Sequence, residues 1–330
     1  MAYLNRRQFG LGLAATSLAG TAPWALAQQP FPSRPVTIVI GYPAGGPTDV
    51  YGRAMGKLLS DYWKQPVIIE NRPGASGSIA AMHVLNAAPD GYTLLFTNNA
   101  TNGAYEVLNP KTASYRTLRD FQPVALYGIA PSVVMVRADL PVKNMQEFIA
   151  LCKASPGKIT YASPAVGSSP HLASEMISAA TGIKMLHVPY SGTAPLMQAL
   201  LGGQVDMYIG GVASSLPHVK SGKLRYIGAV SATRLKGVPD LPTLAEQGIS
   251  GVVNASWYGL LASVKVPETI AEQINADTRK VMDTPAVQAQ LDGYGVEYTP
   301  ATRAQVLQVV KAEIDSTAKL VAEGRVAPVE

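Results

Sequence analysis

Two polar, glycine-rich corners carry most of the chemistry this chain can offer. The first, residues 41–50 (GYPAGGPTDV), follows an apolar run, residues 36–40, and precedes a segment with Val50, Ala54, Leu58 and Leu59 at helical spacing, so it reads as strand, turn, helix. Adjacent glycines let a backbone approach a ligand closely, and the first-turn N–H groups of a helix lack intrahelical partners, which suits the corner to an anion. The same residues also serve a plain tight turn in which Thr48 or Asp49 caps the helix. Neither G-x-G-x-x-G nor G-x-x-x-x-G-K-[ST] is present, which argues against a nucleotide phosphate. The second corner, residues 161–171 (YASPAVGSSPH), offers hydroxyls, a glycine and another helix start. Such a set donates several hydrogen bonds to a carboxylate without a lysine or arginine, or simply caps a helix through Ser168 or Ser169. Residues 188–195 (VPYSGTAP) form a further polar corner at a strand end.

Other chemistries are poorly supported. An exported hydrolase built on a Ser/His site is the alternative, but there is no G-x-S-x-G elbow, and His171 lies too close in sequence to Ser168 and Ser169 for a triad. His83, His171, His187 and His218 are scattered, with no H-E-x-x-H and no cysteine partner, so neither a metal site nor any cofactor is expected. Cys152 is the sole cysteine, which excludes an intrachain disulfide; its apolar neighbours Phe148, Ile149 and Leu151 place it in a core.

The first residues bear on the compartment. Arg6-Arg7 before Phe9, a short apolar run and the small-x-small triplet Ala25-Leu26-Ala27 fit a twin-arginine export signal over residues 1–27, cleaved after Ala27 into a bacterial periplasm. The run is shorter than the roughly 20 residues that a spanning helix needs. Removing Arg6 and Arg7 from the 27 basic residues leaves 25 against 22 acidic ones, a net charge of +3. The basic residues are dispersed, so a nucleic-acid groove is not expected; a mildly positive protein favours small anions. With 47% hydrophobic residues, the mature chain suffices for two moderate cores.

The elements that position the corners alternate. Strands at residues 36–40, 67–70 and 93–96 are separated by helices, which indicates a parallel sheet covered on both faces, with ligands outside the carboxyl ends of its strands. Residues 121–127 and 132–136 read as two consecutive strands, a crossing to a second unit of the same design. Residues 255–261 read as the return, followed by helices over 267–282, 285–291 and 302–323. The expected architecture is α/β and two-lobed, each lobe a mainly parallel sheet flanked by helices, joined by two crossing strands: residues 28–128 and 257–330 in lobe 1, residues 129–256 in lobe 2.

Over essentially the whole mature chain the sequence closely resembles the Bug family of periplasmic solute-binding proteins, receptors associated with tripartite tricarboxylate transporters. The resemblance is carried by residues 31–35 (FPSRP), 42–49 (YPAGGPTD), 67–75 (VIIENRPGA), 88–95 (APDGYTLL), 187–190 (HVPY), 201–206 (LGGQVD) and 256–260 (SWYGL). It implies a type II periplasmic-binding fold closing on a small organic acid, aromatic acid or amino acid. It also implies a receptor rather than an enzyme, a monomer, and membrane subunits of such a transporter as partners. Carried over residue by residue, the implied ligand-binding positions are Tyr42, Gly45, Gly46, Thr48 and Asp49, with Thr97 and Asn98 nearby, from lobe 1. From lobe 2 they are Ser163, Gly167, Ser168, Ser169, His171, Tyr190, Thr193 and Asp206. Two departures stand out: Ala44 where a second proline is usual, and Ile209-Gly210-Gly211 where an aromatic followed by Asp is common, which implies more room in the cleft. Trp257 and Tyr258 are expected to pack the hinge.

Overall fold

The structure, a computed structural model, describes residues 31–328. The expected export signal therefore lies outside the described residues. Residues 34–328 belong to one unit, and residues 31–33 to a separate N-terminal one.

The first lobe is built on strands β1 (Val36–Ile40), β2 (Val67–Asn71) and β3 (Thr93–Asn98), all parallel in the order β2-β1-β3. The continuous apolar stretch of β1 is what a strand covered on both faces requires. Helix α1 (Pro47–Trp63) follows β1, and α2 (Ser78–Asn86) follows β2. After β3 come a π-turn (Ala100–Ala104) and two short helices, α3 (Tyr105–Leu108) and α4 (Thr117–Asp120).

Strand β4 (Phe121–Arg137) leaves this lobe for the next, and β9 (Ala255–Ser263) returns antiparallel to it. The sequence suggests two strands here, whereas the structure has one of 17 residues, because Gly128 to Pro131 keep pairing with Tyr258, Trp257, Ser256 and Ala255. Gly128, at φ +154, leaves room for the backbone of Glu297, whose N–H and carbonyl both bond Ile129 at 2.8 Å.

The second lobe takes over at Ser132, where β4 begins to pair with β7 (Met207–Gly211) on one side and β8 (Leu224–Val230) on the other. Strand β5 (Thr160–Ser163) lies parallel to both β7 and β6 (Leu186–Pro189). Between them run α5 (Met145–Ala154), α6 (Ser169–Thr181), α7 (Thr193–Leu201) and α8 (Val212–Lys220). Alternation along β4 divides this lobe's core: Val134 and Val136 face Phe148, Cys152 and Ile177, while Val133 and Met135 face Leu196, Leu200 and Tyr208. Burial, reinforced by the charge of Asp206, pushes the Cys152 thiol up to about 11, which keeps it an inert core group.

After β9 the chain ends in α9 (Glu268–Met282), α10 (Pro285–Gly293) and α11 (Arg303–Ala322). Thr302 and Gln305 form a capping box at the start of α11, and Val306 and Val310 pack it onto the first lobe beside Val39, Leu95 and Trp257.

Candidate ligand-binding cleft

Because β1, β5, β6 and β7 present their carboxyl ends to the gap between the lobes, the helices that follow them, α1, α6, α7 and α8, start there. Four helix N-termini line one cavity: α1 through Gly46, Pro47 and Thr48; α6 through Ser168, Ser169 and Pro170; α7 through Gly192, Thr193, Ala194 and Pro195; α8 through Gly211 and Ser214. None of these ends receives a side-chain cap. Pro47, Pro170 and Pro195 carry no N–H, so the remaining first-turn amides are the donors these ends offer, and their dipoles place partial positive charge around the site.

No side chain in the wall carries a formal charge. The polar groups are neutral hydroxyls and amides, together with four tyrosines, Tyr42, Tyr51, Tyr208 and Tyr258. Burial raises all four phenols, that of Tyr208 to about 12 against the opposing hydrogen bond from Thr193, so they remain protonated donors. Asn98 Nδ2 donates to Thr48 Oγ1 at 3.1 Å, which directs the hydroxyl's own proton elsewhere, while Asn98 Oδ1 receives the amides of Ala100 and Thr101. The cavity measures about 60 Å³, room for roughly four to six water-sized groups.

Residues 52–325 match the sequence profile described as tripartite tricarboxylate transporter family receptor. The chain belongs to that family. Among its relatives is protein BugT of Bordetella pertussis, 32% identical over 293 residues and aligned over 89% of this chain and 90% of that one. Among solved structures it is similar to an R. palustris protein with adipate (TM-score 0.87, 30% identity, covering 91% of this chain and 100% of that one). It is also similar to MatC from Rhodopseudomonas palustris with bound malate (TM-score 0.82, 32% identity, 88% and 100%).

In this receptor, the sequence-derived positions that meet in the cavity are Tyr42, Gly46, Thr48, Asn98, Ser168, Ser169 and Thr193. The hydroxyls of Ser168 and Ser169 are already engaged, with Ala165 O at 2.6 Å and with Asn254 Oδ1, so these residues face the cavity chiefly as backbone.

The remaining positions lie elsewhere, each for a local reason. Asp49 turns away to accept from Gly45 N at 3.0 Å, Arg53 Nε at 3.0 Å and Asn71 Nδ2 at 2.9 Å. Burial would raise its carboxyl, but Arg53, Gly45 and Asn71 together hold it below the usual range. Gly45, at φ +89, faces outward. Thr97 donates to Asn102 Oδ1 at 2.7 Å beneath the wall. Ser163 Oγ, fully buried, pairs with His187 Nε2 at 2.7 Å. Gly167 donates its N–H to His171 Nδ1 at 3.1 Å, and the His171 ring stacks 4.3 Å from that of His187. Tyr190 borders a neighbouring hollow with Ser76 and Val166, which shares Tyr42, Pro43 and Pro164 with the cavity wall. Asp206 sits at the opposite, amino end of β7, where it accepts from Arg137 Nε at 2.9 Å and Thr160 N at 2.8 Å.

Sequence reasoning missed Tyr51, Asn99, Ser132, Tyr208, Ser214 and the α8 start. The signal for that start was present: Gly210-Gly211 ending a strand just before a helical segment. The room expected at Gly210 is partly filled by the Tyr208 ring, for a Cβ on Gly210 would lie 2.4 Å from it. Alternation along β9 sends Trp257 into the core and Tyr258 to the cavity, so of the two expected hinge residues one also forms the wall.

Two consequences are testable. Asp49→Ala is expected to destabilise the fold by about 1–3 kcal/mol and to weaken every acid alike, because it releases the Gly45–Gly46 turn; denaturant melts and a titration panel check it, and a loss confined to amino or hydroxy acids would place Asp49 on the ligand. The lobes also touch through Ser76 Oγ, which donates to Val166 O at 3.3 Å. Ala75 and Ser76 occupy left-handed backbone (φ +46 and +52), a strain held in place by Thr101 Oγ1 and the Tyr42 hydroxyl on Ser76 O. Ser76→Ala should lower affinity by about 0.5–1.5 kcal/mol through loss of the interlobe bond, with the fold's own stability little changed; calorimetric titration reads the first and a thermal melt the second.

Proposed function

We propose that this receptor is exported to the periplasm, works there as a monomer, and closes its two lobes on a small carboxylate-bearing solute for uptake through tripartite-transporter membrane subunits. The observation that carries the reading is a cavity walled by four uncapped helix starts and neutral donors with no charged side chain. An anion is the ligand such a wall stabilises, since it supplies the acceptor that buried first-turn amides lack. Donors from both lobes meet on it, so the ligand binds the closed form better than the open one, which is the requirement for shifting that equilibrium. Adipate and malate, found with the similar proteins, are small carboxylates of the class this wall favours.

Catalysis is disfavoured by the same geometry. The Ser163–His187 contact is sealed from the cavity, Ser163 spends its proton on Ala165 O at 3.0 Å, and burial lowers the His187 pKa to about 4, too low for a general base. Thermal melting of the protein against mono-, di- and tricarboxylates, aromatic acids and amino acids tests the reading. A ligand at about 1,000 times its Kd should add roughly 4 kcal/mol to stability. No shift with any acid, together with turnover of an ester or amide, would favour the hydrolase instead.

A further inference from the structure

The cavity does not end at its polar wall. Pro47, Tyr51, Thr193, Ala194 and Ser214 line both it and a larger open groove of about 450 Å³. One side of that groove is α1, which places Pro47, Val50 and Tyr51 on a single face, with Tyr294 beyond them; the other is α7, which lines it with Ala194, Met197 and Leu201 at helical spacing. Val50 is 37% exposed, a large apolar residue left in the open at the mouth of a ligand cavity. Polar groups, Gln198 and His218, appear among the groove's lining residues, with no acidic or basic side chain besides the histidine.

We infer that this receptor takes acids with a hydrocarbon tail: the carboxylate lies among the helix starts and the tail passes Tyr51 and Thr193 into the groove along α7. The inference rests on the carboxylate reading above. Continuity decides for the ligand's own tail over a separate partner, because five residues are common to both walls. The inner cavity has room for roughly four to six water-sized groups, so an acid as short as butanoate fills it and further carbons must leave through the groove. Each methylene that moves from water onto apolar wall should tighten binding about two- to fourfold, the lower figure allowing for the groove's open side.

The test is a calorimetric titration of the protein with butanoate, hexanoate and octanoate, repeated on Leu201→Glu, which puts a charge in the groove at a partly exposed position outside the inner cavity. Octanoate, four methylenes longer, should bind roughly 15- to 250-fold tighter than butanoate. In the variant that gain should vanish, with butanoate affinity unchanged; because Leu201 also packs against the core beside Leu200, a thermal melt confirms that the variant is folded at the titration temperature. Equal affinity for all three acids in the native protein overturns the inference and leaves the carboxylate reading standing, and points to a protein partner for the groove. A gain that survives Leu201→Glu also overturns it, since the tail then lies elsewhere. Failure of every acid to bind overturns the carboxylate reading, and this inference with it.

Discussion

Gly210→Ala should cost the receptor most of its affinity for any acid. Tyr208 and Gly210 lie two residues apart on β7 and so share a face, and the phenol ring lies flat over the glycine: a Cβ there would stand 2.4 Å from Cε1, 2.6 Å from Cζ and 2.8 Å from the hydroxyl. Tyr208 is 3% exposed, so the ring has only the cavity to move into. Overpacking of this kind costs about 1–3 kcal/mol, and where the displaced ring occupies the ligand's space the same energy appears as a rise in Kd of about five- to 150-fold. Titration calorimetry on the variant, with urea melts to follow the fold, reads both quantities. Unchanged affinity would show that Tyr208 borders the cavity without shaping it.

That glycine also shows where sequence reasoning reaches its limit. The corners were legible because they are local: a five-residue apolar run, a Pro/Gly turn and a 3.6-residue period encode strand, turn and helix with no knowledge of the rest of the chain. Proline at the start of α1 even sets that helix three residues ahead of Val50, the first residue of the apolar spacing. What the side chains touch is not local. Asp206 and Arg137 are 69 residues apart, and only the pairing of β4 with β7 brings them together. His171 and His187 look independent in sequence; they stack because β5 pairs with β6 in the register that sets Tyr161 against His187, and α6 drops His171 onto the pair. Gly210 read alone means space, whereas Gly210 under Tyr208 means a ring held in place.

The stacked histidines lead to the second large effect, a loss of stability in acid that the wild type partly conceals. Burial, with the charge on its neighbour adding to it, lowers the His171 pKa to about 3, and burial lowers that of His187 to about 4, against an ordinary 6.5. Between those values the unfolded chain binds up to two protons that the folded chain refuses, so stability is full above pH 6.5 and falls as pH falls. At pH 5 the two groups together should cost about 2–4 kcal/mol relative to pH 7.5, on the order of one to two kcal/mol each. Glu313 acts in the opposite sense. Its carboxyl lies beside Asn99 without a hydrogen bond of good geometry, and burial, only partly opposed by Asn99, raises it to about 7 from 4.5. There the folded chain binds the extra proton, so lowering the pH from 7 towards 4.5 adds stability, about 2 kcal/mol by pH 5. The wild type should therefore change little between pH 7.5 and 5, Glu313→Gln should lose about 2–4 kcal/mol over that interval, and adding His187→Phe should recover about half of the loss. Urea melts at the two pH values decide it, and a flat response in Glu313→Gln would refute the histidine account. The effect bears on function because His171 Nδ1 accepts the Gly167 N–H that sets the turn into α6. A proton on that nitrogen removes the acceptor and frees the turn carrying Ser168 and Ser169, so acid should weaken ligand binding before it unfolds the protein.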